Sequence, residues 1–418
     1  MTLHRKSSSV VTRASAIALC TFTAVSALSV PTATADPLGS LSSLLPGSSD
    51  GSDGADKEAP LTEATEPAAQ SETWSADYQG TFDLQGADTS AATSGDFSDV
   101  PFGGLSGLDA TTDSAGDGNG DSGRYLALSD DRAEDGPARA YPLELTTGEG
   151  GEGATGIGDA TVDAPITLTD KNGAAYKEGT VDPESIRSTE GGGLLWTSEG
   201  DRTKGVDAQI TQADQNGQAQ LSYKTPDYHH VSDGAGTREN EAYEGLTLTD
   251  GGQQAAVLTE APLTQDSYNR LTFYDTATGE PDSEVAYQLD PADENADGRG
   301  ATEILAAGQD SFLTLERGYV EGEGTHAALY RVTLDDATNV LGREDLDKGG
   351  DVTPVHKERL LDLSSLKDST DEEVADGNPD NVESLAWGPS GELLIGTDNN
   401  FSDSQRSLIH TVNLSAAE

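Results

Sequence analysis

The chain has 418 residues, with 75 Asp and Glu against 24 Lys and Arg, a formal net charge of −51. A surface this acidic repels phosphate backbones and anionic lipid heads, which excludes a nucleic-acid or membrane-surface binder. Hydrophobic residues still make up 34%, with 48 glycines beside them, so most of the chain can fold and the acid must be a surface or a site property.

Arg5, Lys6 and Arg13 precede an uncharged apolar stretch from Ala14 to Val30, and Ala33-Thr34-Ala35 offers a small-x-small site. Residues 1–35 therefore read as a secretion signal cleaved before Asp36, with no membrane insertion afterwards; an uncleaved anchor is the alternative. Cys20, the one cysteine, lies in this segment, so the mature chain uses no disulfides. Cysteine-free secretion and Ala/Gly/Asp richness point to a bacterial source, outside the cell or in its envelope. Residues 36–72, rich in Ser, Pro, Gly and acids without apolar periodicity, read as a disordered linker.

From Trp74 onward, short apolar runs recur between Gly, Asp, Asn and Pro, and no helical spacing persists over three turns. Residues 73–418 are expected to be one all-β domain. A repeat narrows the choice: an acid near the start of one strand, then a second strand that ends in an acid. The pairs are Glu184 with Glu199, Glu244 with Glu260, Glu303 with Glu316 and Glu383 with Asp398, at gaps of 15, 16, 13 and 15 residues. A fifth unit runs from Gly103-Gly104-Leu105-Ser106-Gly107-Leu108 to Asp130, with a Gly/Asp loop inserted. Regular β units of this kind indicate a β-propeller. Six blades are expected and seven are the alternative, with Gln209–Tyr223 and Tyr330–Leu334 as strands of the unseen blades. The terminal strands near Trp74–Leu84 and Leu408–Leu414 are expected to share a blade and close the ring.

In a propeller, an acid at the same place in each unit becomes a ring of carboxylates around one axis. Two unit charges about 4 Å apart repel by roughly 4 kcal/mol at an effective dielectric of about 20. Either some carboxylates hold protons or a cation sits among them. Oxygen ligands suit Ca²⁺, whereas six histidines and no mature cysteine make zinc a poor choice. Asp130, Asp131, Glu184, Glu316, Glu383, Asp398 and Asn399 are the expected metal ligands. Three Asp-x-Asn-x-Asp loops, at residues 117–121, 293–297 and 376–380, are further candidates, although turn chemistry alone explains such loops and none has the twelfth-position Glu of an EF-hand. Nucleophile-elbow, P-loop and Rossmann motifs are missing, so an enzyme built on this chain would use metal-activated water.

The same segments resemble a known family. Ala127-Leu128-Ser129-Asp130-Asp131-Arg132, Trp196-Thr197-Ser198-Glu199-Gly200, Asn240-Glu241-Ala242-Tyr243-Glu244-Gly245-Leu246, Leu315-Glu316-Arg317 and Asp380-Asn381-Val382-Glu383-Ser384-Leu385 occur in order, followed by Asp398-Asn399-Asn400-Phe401. The ordered set resembles the secreted bacterial family called esterase-like activity of phytase, or phytase-like domain, from about Phe102 to Leu414. The resemblance implies a propeller and a phosphoesterase or esterase activity. On that reading Glu199, Glu244, Glu260, Arg132 and Arg317 are the catalytic candidates, with Arg139 as a further phosphate clamp. The expected ligand is an anionic phosphate-ester small molecule bridged to the protein by Ca²⁺, and the protein is expected to be a monomer. A non-catalytic, Ca²⁺-stabilised scaffold that binds a cell-envelope ligand is the alternative, and a carboxylesterase is a third reading. Two residues depart from the family pattern, Ser384 and Ala242, each where a glycine is usual, and both are expected to narrow the channel.

Overall fold

Inner strands with almost every side chain buried, each followed by three antiparallel neighbours, organise the chain into five sheets around one axis. The structure, a computed structural model, describes residues 74–111, 122–149, 155–291, 299–308, 310–320, 324–347, 350–363, 381–402 and 404–416. The expected signal, the linker and the three Asp-x-Asn-x-Asp loops lie outside the described residues.

Strand β1 (Trp74–Asp83) comes first in sequence but belongs to the last blade. The first blade is β2 (Leu105–Ala110), β3 (Ser122–Ser129), β4 (Arg139–Glu149) and β5 (Thr155–Val162), with the short β6 (Ile166–Thr167) beside β4. The second is β7 (Pro183–Ser188), β8 (Leu194–Ser198), β9 (Gln209–Ala213) and β10 (Ala219–Ser222). The third is β11 (Tyr243–Thr249), β12 (Gln254–Thr259), β13 (Asn269–Asp275) and β14 (Pro281–Tyr287). The fourth is β15 (Gly300–Ala306), β16 (Ser311–Val320), β17 (Gly324–Thr333) and β18 (His356–Asp362). The fifth is β19 (Val382–Trp387), β20 (Leu393–Thr397) and β21 (Leu408–Ala416), and β1 completes it by pairing antiparallel with β21 from Trp74↔Ala416 to Asp83↔Leu408. The expected closure by terminal strands is therefore present.

The blade count is five, which corrects the expected six. Gln209–Tyr223 supplies β9 and β10, the outer strands of the second blade, and Tyr330–Leu334 belongs to the end of β17. Only the inner two strands of each blade carry the acid-to-acid repeat. The outer two carry no such mark, so they look like separate units in sequence.

Five apolar clusters, one at each blade junction, hold the ring together. Leu126, Leu128, Ile186 and Trp196 lie between the first and second blades. Ile210, Tyr243, Leu246 and Val257 fill the next junction, and Leu258, Phe273, Ile304 and Phe312 the third. Leu315, Leu329, Leu385 and Ile395 join the fourth to the fifth. Leu108, Tyr125, Leu394 and Ile409 join the fifth to the first. Apolar burial of this extent is the main stabilising term.

A ring of only five blades brings the inner strands into near backbone contact, and glycines permit it. A Cβ on Gly107 would lie 2.9 Å from Glu184 O and Ile186 N, and one on Gly245 would lie 3.0 Å from Ile304 N. Below this level the axis is pinned by a buried ion pair, Arg187 Nη2 to Glu303 Oε2 at 3.0 Å. Arg187 also donates to Leu108 O (2.8 Å) and Ile304 O (3.0 Å), while Glu303 accepts from Ser185 Oγ (2.9 Å) and Leu246 N (3.0 Å). Four of the five inner strands meet in this one knot. Burial pushes Glu303 up to about 7, against the pull of Arg187 and the two backbone N–H groups.

Two substitutions test this account by thermal or urea denaturation. Gly107→Ala is expected to destabilise by about 1–3 kcal/mol, because backbone rather than a flexible side chain must move. Arg187→Met is expected to cost about 3–5 kcal/mol by leaving Glu303 buried without its cation.

Candidate active and metal site

The inner pair of strands in every blade has a register shift at the same height. It falls at Ser106 in β2, Glu184 and Ser185 in β7, Glu244 in β11, Thr302 in β15 and Glu383 in β19. Such a β-bulge adds a residue to one strand and re-aims its side chain. Opposite each bulge, the second strand delivers Asp130, Glu199, Glu260, Arg317 and Asp398, each directly after a residue paired across the bulge.

This register corrects the sequence repeat in the fourth blade. Thr302, not Glu303, matches Glu184, Glu244 and Glu383, and Arg317, not Glu316, matches Glu199, Glu260 and Asp398. The spacing agrees: Thr302 to Arg317 is 15 residues, as in Glu184 to Glu199, whereas Glu303 to Glu316 gave the outlying 13. Glu303 takes the next position, where the other blades have Gly107, Ser185, Gly245 and Ser384, and so enters the axial knot instead.

The cup above that knot thus holds Asp130, Glu184, Glu199, Glu244, Glu260, Glu383 and Asp398, with Asp182 at its edge and Arg317 in one sector. Carboxylate oxygens of Asp182, Glu184 and Glu199 lie within 4.8 Å of one another, and so do those of Glu199, Glu244 and Glu260. Glu199 belongs to both groups. It also accepts a short hydrogen bond from Ala242 N.

Charge at this density is held down by protonation in the absence of a cation. Burial raises Glu184, Glu199 and Glu244 well above the ordinary carboxylate range, and neighbouring acids add to it: Glu244 acts on Glu184, and Glu260 on both Glu199 and Glu244. Burial and Asp398 push Asp130 up to about 9. Burial pushes Glu383 up to about 8 and Glu260 to about 7, each opposed by Arg317. Asp182 rises to about 6, burial again outweighing Arg132. Burial opposes the charge of Arg317, but Glu383, Glu260 and Glu244 outweigh it and raise its pKa.

Two arginines face the acids. Arg317 Nη2 lies 2.8 Å from Glu383 Oε1, and Arg132 Nη2 lies 2.5 Å from Asp182 Oδ2 and also donates to Asn240 Oδ1. Their side chains are 27% and 33% exposed, so both reach the open side of the cup. Ser106 Oγ donates to Glu383 Oε2 at 2.9 Å. The acceptor of that serine is a carboxylate and not a histidine. The buried His229 and His410 hydrogen-bond elsewhere, to Tyr243 and Glu284 and to Thr81.

Four expected site residues serve other partners. Glu316 accepts from Tyr287 (2.7 Å), from Asp290 N (3.0 Å) and from Lys357. Asp131 pairs with Arg139 at 2.5 Å and caps Glu134 N at 2.7 Å. Arg139, fully buried, also donates to Tyr141 and to Pro137 O and Pro101 O, so it ties loops together. Asn399 spends its Oδ1 on Gly104 N and Phe401 N. The two departures from the family pattern do not narrow the cup. Ala242 packs in the core between the second and third blades, and Ser384 lines an apolar crevice with Leu105, Gly107 and Gly396.

The donor set fits a hard divalent cation. All the converging atoms are oxygens, and Asp398 Oδ1 and Asp130 Oδ1 are buried without a hydrogen-bond partner. An all-oxygen donor set of this kind is what a hard cation such as Ca²⁺ takes. Glu199, with Asp182 and Glu184 on one side and Glu244 and Glu260 on the other, would hold it.

A family model described as Phytase-like, esterase-like activity of phytase, matches residues 100–401. The chain belongs to that family, and membership suggests a hydrolase-type function. Among curated proteins no match was found. Solved structures with some likeness include a putative glycoside hydrolase from Bacteroides ovatus ATCC 8483 (11% identity, 74% of this chain and 86% of that one, TM-score 0.39). The soluble aldose sugar dehydrogenase of Escherichia coli in its apo form gives 11% identity, 76% and 85% coverage and a TM-score of 0.34. Nothing about the chemistry of this chain follows from likenesses at that level. Among the described residues, no helix is long and apolar enough to cross a membrane.

The raised carboxylates set the pH dependence of the cation-free protein. A carboxylate whose folded pKa exceeds its unfolded value stabilises the fold below the unfolded value and loses that contribution as pH rises through the folded one. In EDTA, the melting temperature is therefore expected to rise as pH falls from about 9 to about 5. Glu244→Gln, which removes the cost of keeping this buried acid protonated, is expected to raise it at pH 8. A cation-free protein most stable at pH 8–9 would contradict the electrostatics described.

Proposed function

We propose that this protein is a Ca²⁺-dependent phosphoric-ester hydrolase acting outside the cell. The observation that carries this reading is the pair of carboxylate groups sharing Glu199, flanked by Arg132 and Arg317. The residue pattern of the N-terminal segment supports an extracellular setting, and family membership supports hydrolysis.

A bound Ca²⁺ would supply positive charge for the phosphate and acidify a coordinated water. The chain's own groups supply the rest. Glu199, Glu244 and Glu260 would hold the cation and fix the place where the ester meets it. Arg317 and Arg132 offer guanidinium N–H groups to phosphate oxygens, bidentate geometry being the strength of arginine. Each must loosen an ion pair to do so, Arg317 from Glu383 and Arg132 from Asp182. The axial knot of Arg187 and Glu303 closes the floor, so substrate enters and product leaves by one mouth.

Phosphate release from 4-nitrophenyl phosphate and from inositol hexakisphosphate, with Ca²⁺ and with EDTA, tests the reading. Activity is expected with Ca²⁺ and lost with chelator. Glu199→Gln is expected to lower kcat/KM by about 100-fold or more, the loss of ~3 kcal/mol of transition-state stabilisation. No release from either ester in excess Ca²⁺ would sink it. One observation favours a second reading: both arginines are already paired with site acids, as in a structural network. On that reading the protein is a Ca²⁺-stabilised scaffold, and Ca²⁺ raises its melting temperature without turnover.

A further inference from the structure

In four blades the second strand stops just short of the cup. β3 ends at Ser129, β8 at Ser198, β12 at Thr259 and β20 at Thr397, each one residue before its carboxylate. In the fourth blade β16 runs past Arg317 to Val320 and stays paired with β17 through Gly318↔His326 and Tyr319↔Thr325. A hairpin arm therefore rises above the cup on this side.

The pairing of β16 with β17 has no register shift, so side chains alternate along the whole strand. Leu313, Leu315, Arg317 and Tyr319 share one face. Leu313 and Leu315 pack in the junction with the fifth blade, and Arg317 crosses to Glu383 of that blade. Tyr319 is the next residue out on this face, about 7 Å beyond Arg317 along the strand. It is 52% exposed, and among the described residues it is the exposed large hydrophobic side chain.

We propose that Tyr319 is a specificity-determining residue that selects phosphate monoesters with a planar aromatic leaving group. The inference rests on the reading of Arg317 as an anion-binding group. An anion held by Arg317 carries its organic substituent outward, toward the mouth. An aromatic ring one ester oxygen away then comes within stacking distance of the Tyr319 ring, where offset or edge-on contact is favourable. A ring bearing phosphate at every carbon has no apolar face to offer and gains nothing from this contact. A methyl group is too small to reach it, and a longer alkyl chain offers no planar face to stack.

Calorimetry with Ca²⁺-loaded protein tests the proposal, using phenylphosphonate and methylphosphonate as probes that are not turned over. The wild type is expected to bind phenylphosphonate about fivefold more tightly than methylphosphonate. Tyr319→Ala is expected to abolish that preference while leaving methylphosphonate affinity and melting temperature unchanged, and Tyr319→Phe to keep it. Equal affinities in the wild type, a preference that survives Tyr319→Ala, or no binding of either probe would overturn the proposal. A Tyr319-dependent preference without phosphate release would overturn hydrolysis and leave the inference standing. Phosphate release with equal kcat/KM for aryl and alkyl esters, in wild type and Tyr319→Ala alike, would overturn the inference and leave hydrolysis standing.

Discussion

Carboxylates crowded around one narrow axis set the terms for the rest of this structure. Four of the five blades contribute at a fixed height, and a ring this small leaves little room between neighbours. The apolar junctions hold the blades in place, and the acids then have nowhere to retreat. Protons relieve the repulsion where no cation is present, which is why Glu184, Glu199 and Glu244 rise so far. The fold thus stores an unfavourable charge arrangement that a divalent cation would relieve.

The fourth blade breaks the ring's symmetry twice, and both breaks matter. Thr302 leaves the inner level without a carboxylate, as Ser106 does in the first blade, and Arg317 replaces one at the outer level. A fully symmetric ring would present only negative charge to anything approaching. With one cationic sector the cup has a direction, acids on one side and a guanidinium on the other. A similar contrast separates the two levels of the axis. Arg187 pairs with Glu303 below, so opposite charges meet there, whereas the level above gathers mainly carboxylates.

Much of this was legible in the sequence. The apolar runs gave the all-β class, and the recurring acids located the inner strand pairs and the cup. Blade count was not legible, because β9, β10 and β17 carry ordinary strand patterns with nothing to assign them to a blade. The fourth repeat was misaligned because matching acid to acid hid a one-residue offset that only the bulge register resolves. The gap of 13 residues was the available signal. Asp182 was within sight, two residues before Glu184. Arg187 was harder to find, although a lone cation in an otherwise buried inner strand needs a partner. Asp131 and Arg139 looked like site residues by proximity in sequence, and the structure pairs them with each other.

The closure of the fifth blade by β1 also has a kinetic side. Trp74 pairs with Ala416 across most of the chain, so the contact that locks the ring has one of the longest sequence separations available. Loop-closure entropy must be met before that contact forms, and folds dominated by such contacts are slow to complete. Until β21 has been made and seated, β1 has no partner and β20 has one open side. The ring therefore cannot be finished from a partial chain, and the vulnerable interval is the time before its last strand arrives.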